Sequence, residues 1–152
     1  MTGFAGNQTN DTPAFGRGET LPEQVLGLGI DLCAVARMSR ELAAPDREFL
    51  SAVFLAAEIK RCRAHRYPAR AFAACFAAKE SLIKALARAG GQGTFWQDIK
   101  VGEDARGCPT VTLRGRLGDL ARGLGVHGIH LSHAHCRDYA TACVIVTGQP
   151  AR

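Results

Sequence analysis

The sequence predicts an α+β domain, with a mainly antiparallel sheet packed against helices. Three observations lead there. An apolar run near the start, VLGLGIDL (25–32), is punctuated by glycines and too short for a helix. A central stretch from 34 to about 90 carries apolar residues at helical spacing, interrupted by proline and glycine. After the glycine-rich loop 90–94, short strand-like runs take over.

The elements follow in order. Residues 1–24 are rich in Gly, Thr, Asn and Pro without periodicity, and are expected to be a disordered leader to a folded domain over 25–148. The run 25–32 is a buried strand. Residues 34–42 form a helix with Val35, Met38 and Leu42 on one face, ended by Pro45. Residues 46–65 are helical, in one piece or two. Pro68 opens a helix that runs to Gly90-Gly91. WQDIKV (96–101) and PTVTLRG (109–115) are strands, and 116–125 is a short helix. Strands over 128–133 and 138–146 close the chain. The predicted order is β-α-α-α-β-β-α-β-β.

Composition narrows the function. A chain of 152 residues, nearly half apolar, is expected to be one globular domain. No apolar run approaches the roughly 20 residues needed to cross a bilayer, so no membrane partner is expected. The start of the chain has no basic segment leading into an apolar one, as a secretory signal requires. The six cysteines form no CxxC pair and sit mostly in apolar runs, which points to a reduced, cytoplasmic protein. A net charge of +5 suits an acidic or phosphorylated partner. Low aromatic content and the lack of a recognised motif argue against nucleic acid.

The stretch CFAAKESLIKAL (75–86) poses the chemical question. On a helical wheel Phe72, Cys75, Phe76, Leu82, Ile83 and Leu86 make one apolar stripe. Lys79 falls near its middle and Glu80 on its edge. Either Lys79 snorkels its ammonium outward while Glu80 pairs with Lys84 at i,i+4, or Glu80 is held at a cleft for a metal ion and phosphates. Asp31, at the end of the first strand, is a second carboxylate of the same kind. It either caps the following helix or shares a cation with Glu80, since two close carboxylates repel and a divalent ion reverses that term.

The segments GLGIDLCAVARM, REFLSAVFLAAEIKRC, FAAKESLIKAL, WQDIKV, GCPTVTL and HLSHAHCRDYATACVIV occur in that order over residues 25–147. Together they resemble the holo-acyl-carrier-protein synthases, the small phosphopantetheinyl transferases. The resemblance implies that fold, and transfer of phosphopantetheine from coenzyme A to a serine of an apo acyl carrier protein. It implies Mg2+ held by Asp31 and Glu80. It implies catalytic roles for Glu80, Lys84 and His133, and coenzyme A contacts from Lys79, Lys84 and His133; Arg70 is expected at the same phosphates as a substitute in space for the arginine that residue 75 lacks. Arg37, with Arg40 one turn on, would face the carrier protein, and the protein would be a homotrimer with sites between subunits. The serine's proton would pass to Glu80 or to a metal-held water.

The sequence departs from the family pattern at Cys33 and Ala34, where a second acidic residue is usual. It departs also at Cys75, commonly arginine, and at Ala134. These departures motivate a second reading, a catalytically weak or inactive paralogue that binds a carrier protein or coenzyme A without turnover. A zinc site in HGIHLSHAHC is disfavoured, because strand alternation places His130 and His133 on opposite faces.

Overall fold

The computed structural model describes residues 23–46, 48–87 and 96–149. The chain opens with β1 (Gln24–Ala34), followed by α1 (Val35–Ala43), α2 (Glu48–Val53), α3 (Ala56–Ala64) and the long α4 (Pro68–Leu86). A 3₁₀ turn (Trp96–Asp98) leads into the hairpin β2 (Ile99–Glu103) and β3 (Pro109–Leu113). Then come α5 (Gly115–Gly123), β4 (Val126–His135) and β5 (Tyr139–Gly148). Every strand pairing is antiparallel, in a three-stranded sheet of order β1-β5-β4 and the separate β2-β3 hairpin. Among the described residues no helix is long and apolar enough to cross a membrane.

The α+β class is as expected, and the element count is corrected. Residues 46–65 fold as two helices, so four helices separate β1 from β2. The break falls at Leu55, whose backbone is extended and whose N–H donates to the Glu58 carboxylate at 2.7 Å. The strand expected from Trp96 begins only at Ile99. The Trp96 carbonyl turns inward to accept from Lys79, and the Asp98 carbonyl and carboxylate accept from Arg114 N–H and Leu117 N–H. Most of the expected leader, the glycine-rich loop 90–94 and the expected end of the third helix lie outside the described residues. Within them β1 starts at Gln24 and α4 ends at Leu86.

Helix α4 lies across β1 and β5, and two glycines set how closely. A Cβ on Gly27 would stand 2.0 Å from the Ala85 carbonyl oxygen, and one on Gly29 would stand 1.9 Å from that of Ser81. Only glycine permits this approach. From β5, the Ala142 carbonyl accepts a 2.9 Å hydrogen bond from the buried Ser81 hydroxyl. The alternate β5 residues Ala140, Ala142, Val144 and Val146 point under α4 into the core with Phe72, Phe76 and Leu82.

Lys79 is completely buried. Its ammonium pairs with Glu58, also buried, at 2.8 Å. It donates to the carbonyls of Val53, Trp96 and Ile99 at 2.8–2.9 Å. The other Glu58 oxygen accepts from Val101 N–H at 2.7 Å. Lys79→Met leaves Glu58 buried without its cation and is expected to cost about 3–5 kcal/mol. The loss should appear as a lower urea midpoint at unchanged slope. Gly29→Ala should cost about 1–3 kcal/mol through overpacking against α4. Near-neutral results would mean the pair and the strand–helix contact are dispensable.

Candidate active site

The register between β1 and α4 advances two strand residues for four helix residues, from Gly27 at Ala85 to Gly29 at Ser81. One more step brings Asp31 level with the turn of α4 around Ala77, beside the flank that carries Glu80 and Lys84. Lys84 reaches back to close this flank. Its ammonium pairs with Asp31 Oδ1 at 2.7 Å and donates to the Ile30 carbonyl at 3.1 Å. The Asp31 side chain is 15% exposed and that of Lys84 is 50% exposed. The N-cap of α1 is Ala34, with no side-chain cap, so Asp31 does not serve as one.

Glu80 does not pair with Lys84. Its Oε1 accepts a hydrogen bond from the Trp96 indole N–H. Trp96 stacks obliquely against Phe76, with ring centroids 6.3 Å apart, and the exposed Arg37 guanidinium sits 4.7 Å above the Phe76 ring. Arg37, Phe76, Trp96 and Glu80 are therefore contiguous on the flank that holds Asp31 and Lys84. Arg40 is exposed in the last turn of α1.

Lys79 is the correction within this stretch. Neither a snorkelling surface cation nor a coenzyme A ligand fits it, because its ammonium is sealed inside and spent on Glu58 and three carbonyls. The apolar stripe that surrounds it on the wheel is the wall that buries it.

His133 lies on the other side of α4. It shares a row across the sheet with Ala142 and Asp31, so the three side chains project from the same face. Yet His133 lines a cleft with Arg61, Cys62, His65, Cys75 and His135. Cys75 and Lys84 are nine positions apart, about 180° round a helix of 3.6 residues per turn. Helix α4 therefore stands between two half-sites in one chain, an acidic flank and a cleft bearing arginine and histidines. His130 projects from the opposite face of β4 and bonds Thr147 at 3.3 Å. Among the described residues no three His, Cys, Asp or Glu side chains gather as a metal site.

The sequence reading missed Arg61. It stands in the cleft beside Cys75, the position where the family commonly carries arginine. Its guanidinium donates to the Val101 carbonyl at 2.8 Å and lies 3.7 Å from Glu103. Arg70, offered as the substitute, is half-buried and stacks 4.2 Å over the Tyr67 ring. Nothing local to residue 61 marked it, because its approach to Cys75 depends on how α3 packs on α4.

Asp31 and Glu80 both offer oxygen donors to a cation. Each keeps one carboxylate oxygen, Asp31 Oδ2 and Glu80 Oε2, without a hydrogen bond to the described residues. Two hard carboxylate donors at a partly open flank suit Mg2+, which completes its shell with water and substrate phosphate. Their donor chemistry fits the ion.

A flank bearing Asp31, Glu80 and Lys84 and a separate cleft bearing arginine and histidines therefore belong to one α+β domain. The family model of the 4'-phosphopantetheinyl transferase superfamily matches residues 27–144. The chain belongs to that superfamily. It is 42% identical over 127 residues to the holo-[acyl-carrier-protein] synthase of Anaeromyxobacter sp. (strain K), covering 82% of this chain and 97% of that protein. The synthase of Koribacter versatilis is 37% identical over 122 residues, covering 80% of this chain and 98% of that protein. Among solved structures, the ACPS–CoA complex of Chronobacterium ammoniagenes superposes with a TM-score of 0.71 at 26% identity, covering 83% of this chain and 99% of that one. The Helicobacter pylori synthase in complex with coenzyme A gives 0.67 at 27% identity, covering 78% and 98%.

Burial, and then the neighbouring His135, hold the His133 pKa below its ordinary 6.5; Glu103 opposes them in part. A folded-state value below the unfolded one means the unfolded chain takes up the proton first. Stability tied to neutral His133 is therefore present above about pH 6.5 and lost as pH falls toward the folded value. Denaturation followed from pH 8 to 5 should show a smaller loss in His133→Gln than in the wild type. Parallel curves would remove His133 from the acid response.

Proposed function

We propose that this chain transfers phosphopantetheine from coenzyme A to a serine hydroxyl of an apo acyl carrier protein, releasing adenosine 3',5'-bisphosphate. The observation that carries the reading is the flank of α4, where Lys84 pairs with Asp31 on the glycine strand and Glu80 lies one turn before it on the same helix. The curated relatives are named for this activity over nearly their whole length. Asp31 and Glu80 would hold Mg2+, which when bound offsets the negative charge of the phosphates.

The chain's own residues supply the remaining chemistry. Serine is a weak nucleophile and needs a base within hydrogen-bond reach. Trp96 fixes the Glu80 carboxylate through Oε1, and the serine proton passes to Glu80 or to a water held beside it. The bond that breaks joins the transferred phosphate to the departing adenosine phosphate, and charge grows on the bridging oxygen. The Lys84 ammonium, half-exposed and steered by Asp31, would neutralise that oxygen. Arg61, as a cationic donor, and neutral His133, through a ring N–H, bind the remaining phosphates. Arg61 supplies a cation beside Cys75, which favours turnover over the inactive-paralogue reading. Arg37 and Arg40, exposed on α1, receive the acidic carrier protein.

The two half-sites are divided by α4, so a complete site needs the acidic flank of one subunit and the His133 cleft of another. The outer face of the sheet supports such an assembly. Leu28, Ile30 and Leu32 are 57–63% exposed in one stripe of β1. Apolar patches of this kind mark interaction surfaces. We assign the protein as a cytoplasmic homotrimer joined through this face, in keeping with its free cysteines among the described residues.

Incubation with coenzyme A, Mg2+ and an apo carrier protein should add a phosphopantetheine mass to the carrier. Chelation should stop the reaction and Mg2+ restore it. Asp31→Ala and Glu80→Ala should each lower the rate at least about 100-fold with the fold intact, the scale of a lost charge-stabilising group. No mass gain on any carrier would sink the reading. For assembly, sedimentation should give three times the 16.2 kDa chain mass, and Ile30→Glu should yield folded monomers of low activity.

A further inference from the structure

The floor of the His133 cleft carries a chemistry that phosphopantetheine transfer does not use. Cys62, in the last turns of α3, and Cys75, at the middle of α4, are both buried and both line the cleft with Arg61 and His133. Their side chains face the same cleft from packed helices, and each perturbs the other's ionisation. They come from different helices, so a bond between them joins two packed elements. The other four cysteines stand elsewhere in the fold, with Cys108 and Cys136 exposed.

We infer that Cys62 and Cys75 form an oxidisable dithiol, which a peroxide converts to a disulfide between α3 and α4, and that this bridge regulates the cleft. The roles of the two sulfurs differ. The Cys75 hydrogen bond, with a further contribution from Arg61, favours the thiolate of Cys62 against burial. Cys75 is pushed well up, by its hydrogen bond to Cys62 and by burial, so it keeps its proton. Thiolate is the attacking form.

The Cys62 sulfur attacks one peroxide oxygen, the O–O bond breaks, and the departing oxygen leaves as water. Cys62 is then a sulfenic acid. The Cys75 sulfur next attacks the Cys62 sulfur, the S–O bond breaks, and the hydroxyl leaves with the Cys75 proton as a second water. Two thiols have lost two electrons and two protons, and the peroxide has gained them. A disulfide holds its sulfurs at about 2.05 Å, closer than any non-bonded contact, so the two helices must draw together to form it. That movement shifts Arg61 against the α4 wall of the cleft. Its effect on coenzyme A rests on the transfer reading above.

The test uses the full chain with Cys108→Ser and Cys136→Ser to remove the exposed thiols. After hydrogen peroxide, blocking of free thiols and trypsin, the peptide 62–63 should be found joined to 71–79, and dithiothreitol should separate them. In Cys75→Ala the bridge should be absent and Cys62 should stop at the sulfenic acid, trapped by dimedone. Coenzyme A affinity, measured by calorimetry, should fall at least threefold on oxidation, return on reduction, and stay unchanged by peroxide in Cys75→Ala. Peroxide treatment that leaves 62–63 and 71–79 unlinked, or takes Cys62 directly to sulfinic acid in the parent, overturns the dithiol. A bridge that forms while coenzyme A binds equally well overturns its regulatory role. Failure of the reduced protein to bind coenzyme A would instead count against the transfer reading.

Discussion

The buried pair of Lys79 and Glu58 is the constraint on which the rest depends. Two charges without solvent are stable only when nearly every donor and acceptor is met. Here the ammonium serves a carboxylate and three carbonyls, and the carboxylate also accepts the N–H groups of Leu55 and Val101. Those partners belong to the α2–α3 junction, the 3₁₀ turn and β2. One pair thereby fixes α3, α4 and the β2-β3 hairpin relative to one another.

The consequences reach the site. Holding the Trp96 carbonyl fixes the turn that aims the indole N–H at Glu80. Holding Val101 N–H fixes the strand whose carbonyl receives Arg61. The acidic flank and the basic cleft both inherit their geometry from a pair that touches neither. The remaining constraint is the glycine strand, which lets β1 approach α4 closely enough for Lys84 to reach Asp31.

Helix α4 serves three environments at once. One face packs on the sheet and core, one carries Glu80 and Lys84, and one carries Cys75 toward His133. Residues close in sequence are thus assigned to different compartments. Lys79 and Glu80 are neighbours, yet one is sealed inside and the other stands at the rim, since adjacent helical residues point about 100° apart. The same geometry separates Asp31 from His133, although both project from one face of one sheet.

Much of this was legible in the sequence. Glycines every second residue, helical spacing through 34–86 and alternation in the last two strands determined the α+β class, because period and backbone freedom are local properties. Asp31, Glu80 and Lys84 stood out because charges beside apolar runs require a partner. Which partner each took was decided only by tertiary structure. Lys79 looked available until α3 and the turn at Trp96 closed over it. One of two readings paired Lys84 with Glu80; it is found at Asp31, across 53 positions of chain. Arg61 and the Cys62–Cys75 contact carried no signal, because they depend on how two helices pack. The sequence by itself determined the elements and the kinds of chemistry they carry. The fold decided which charges are spent on structure and which remain for a substrate, since that depends on distance through space and on exclusion of water.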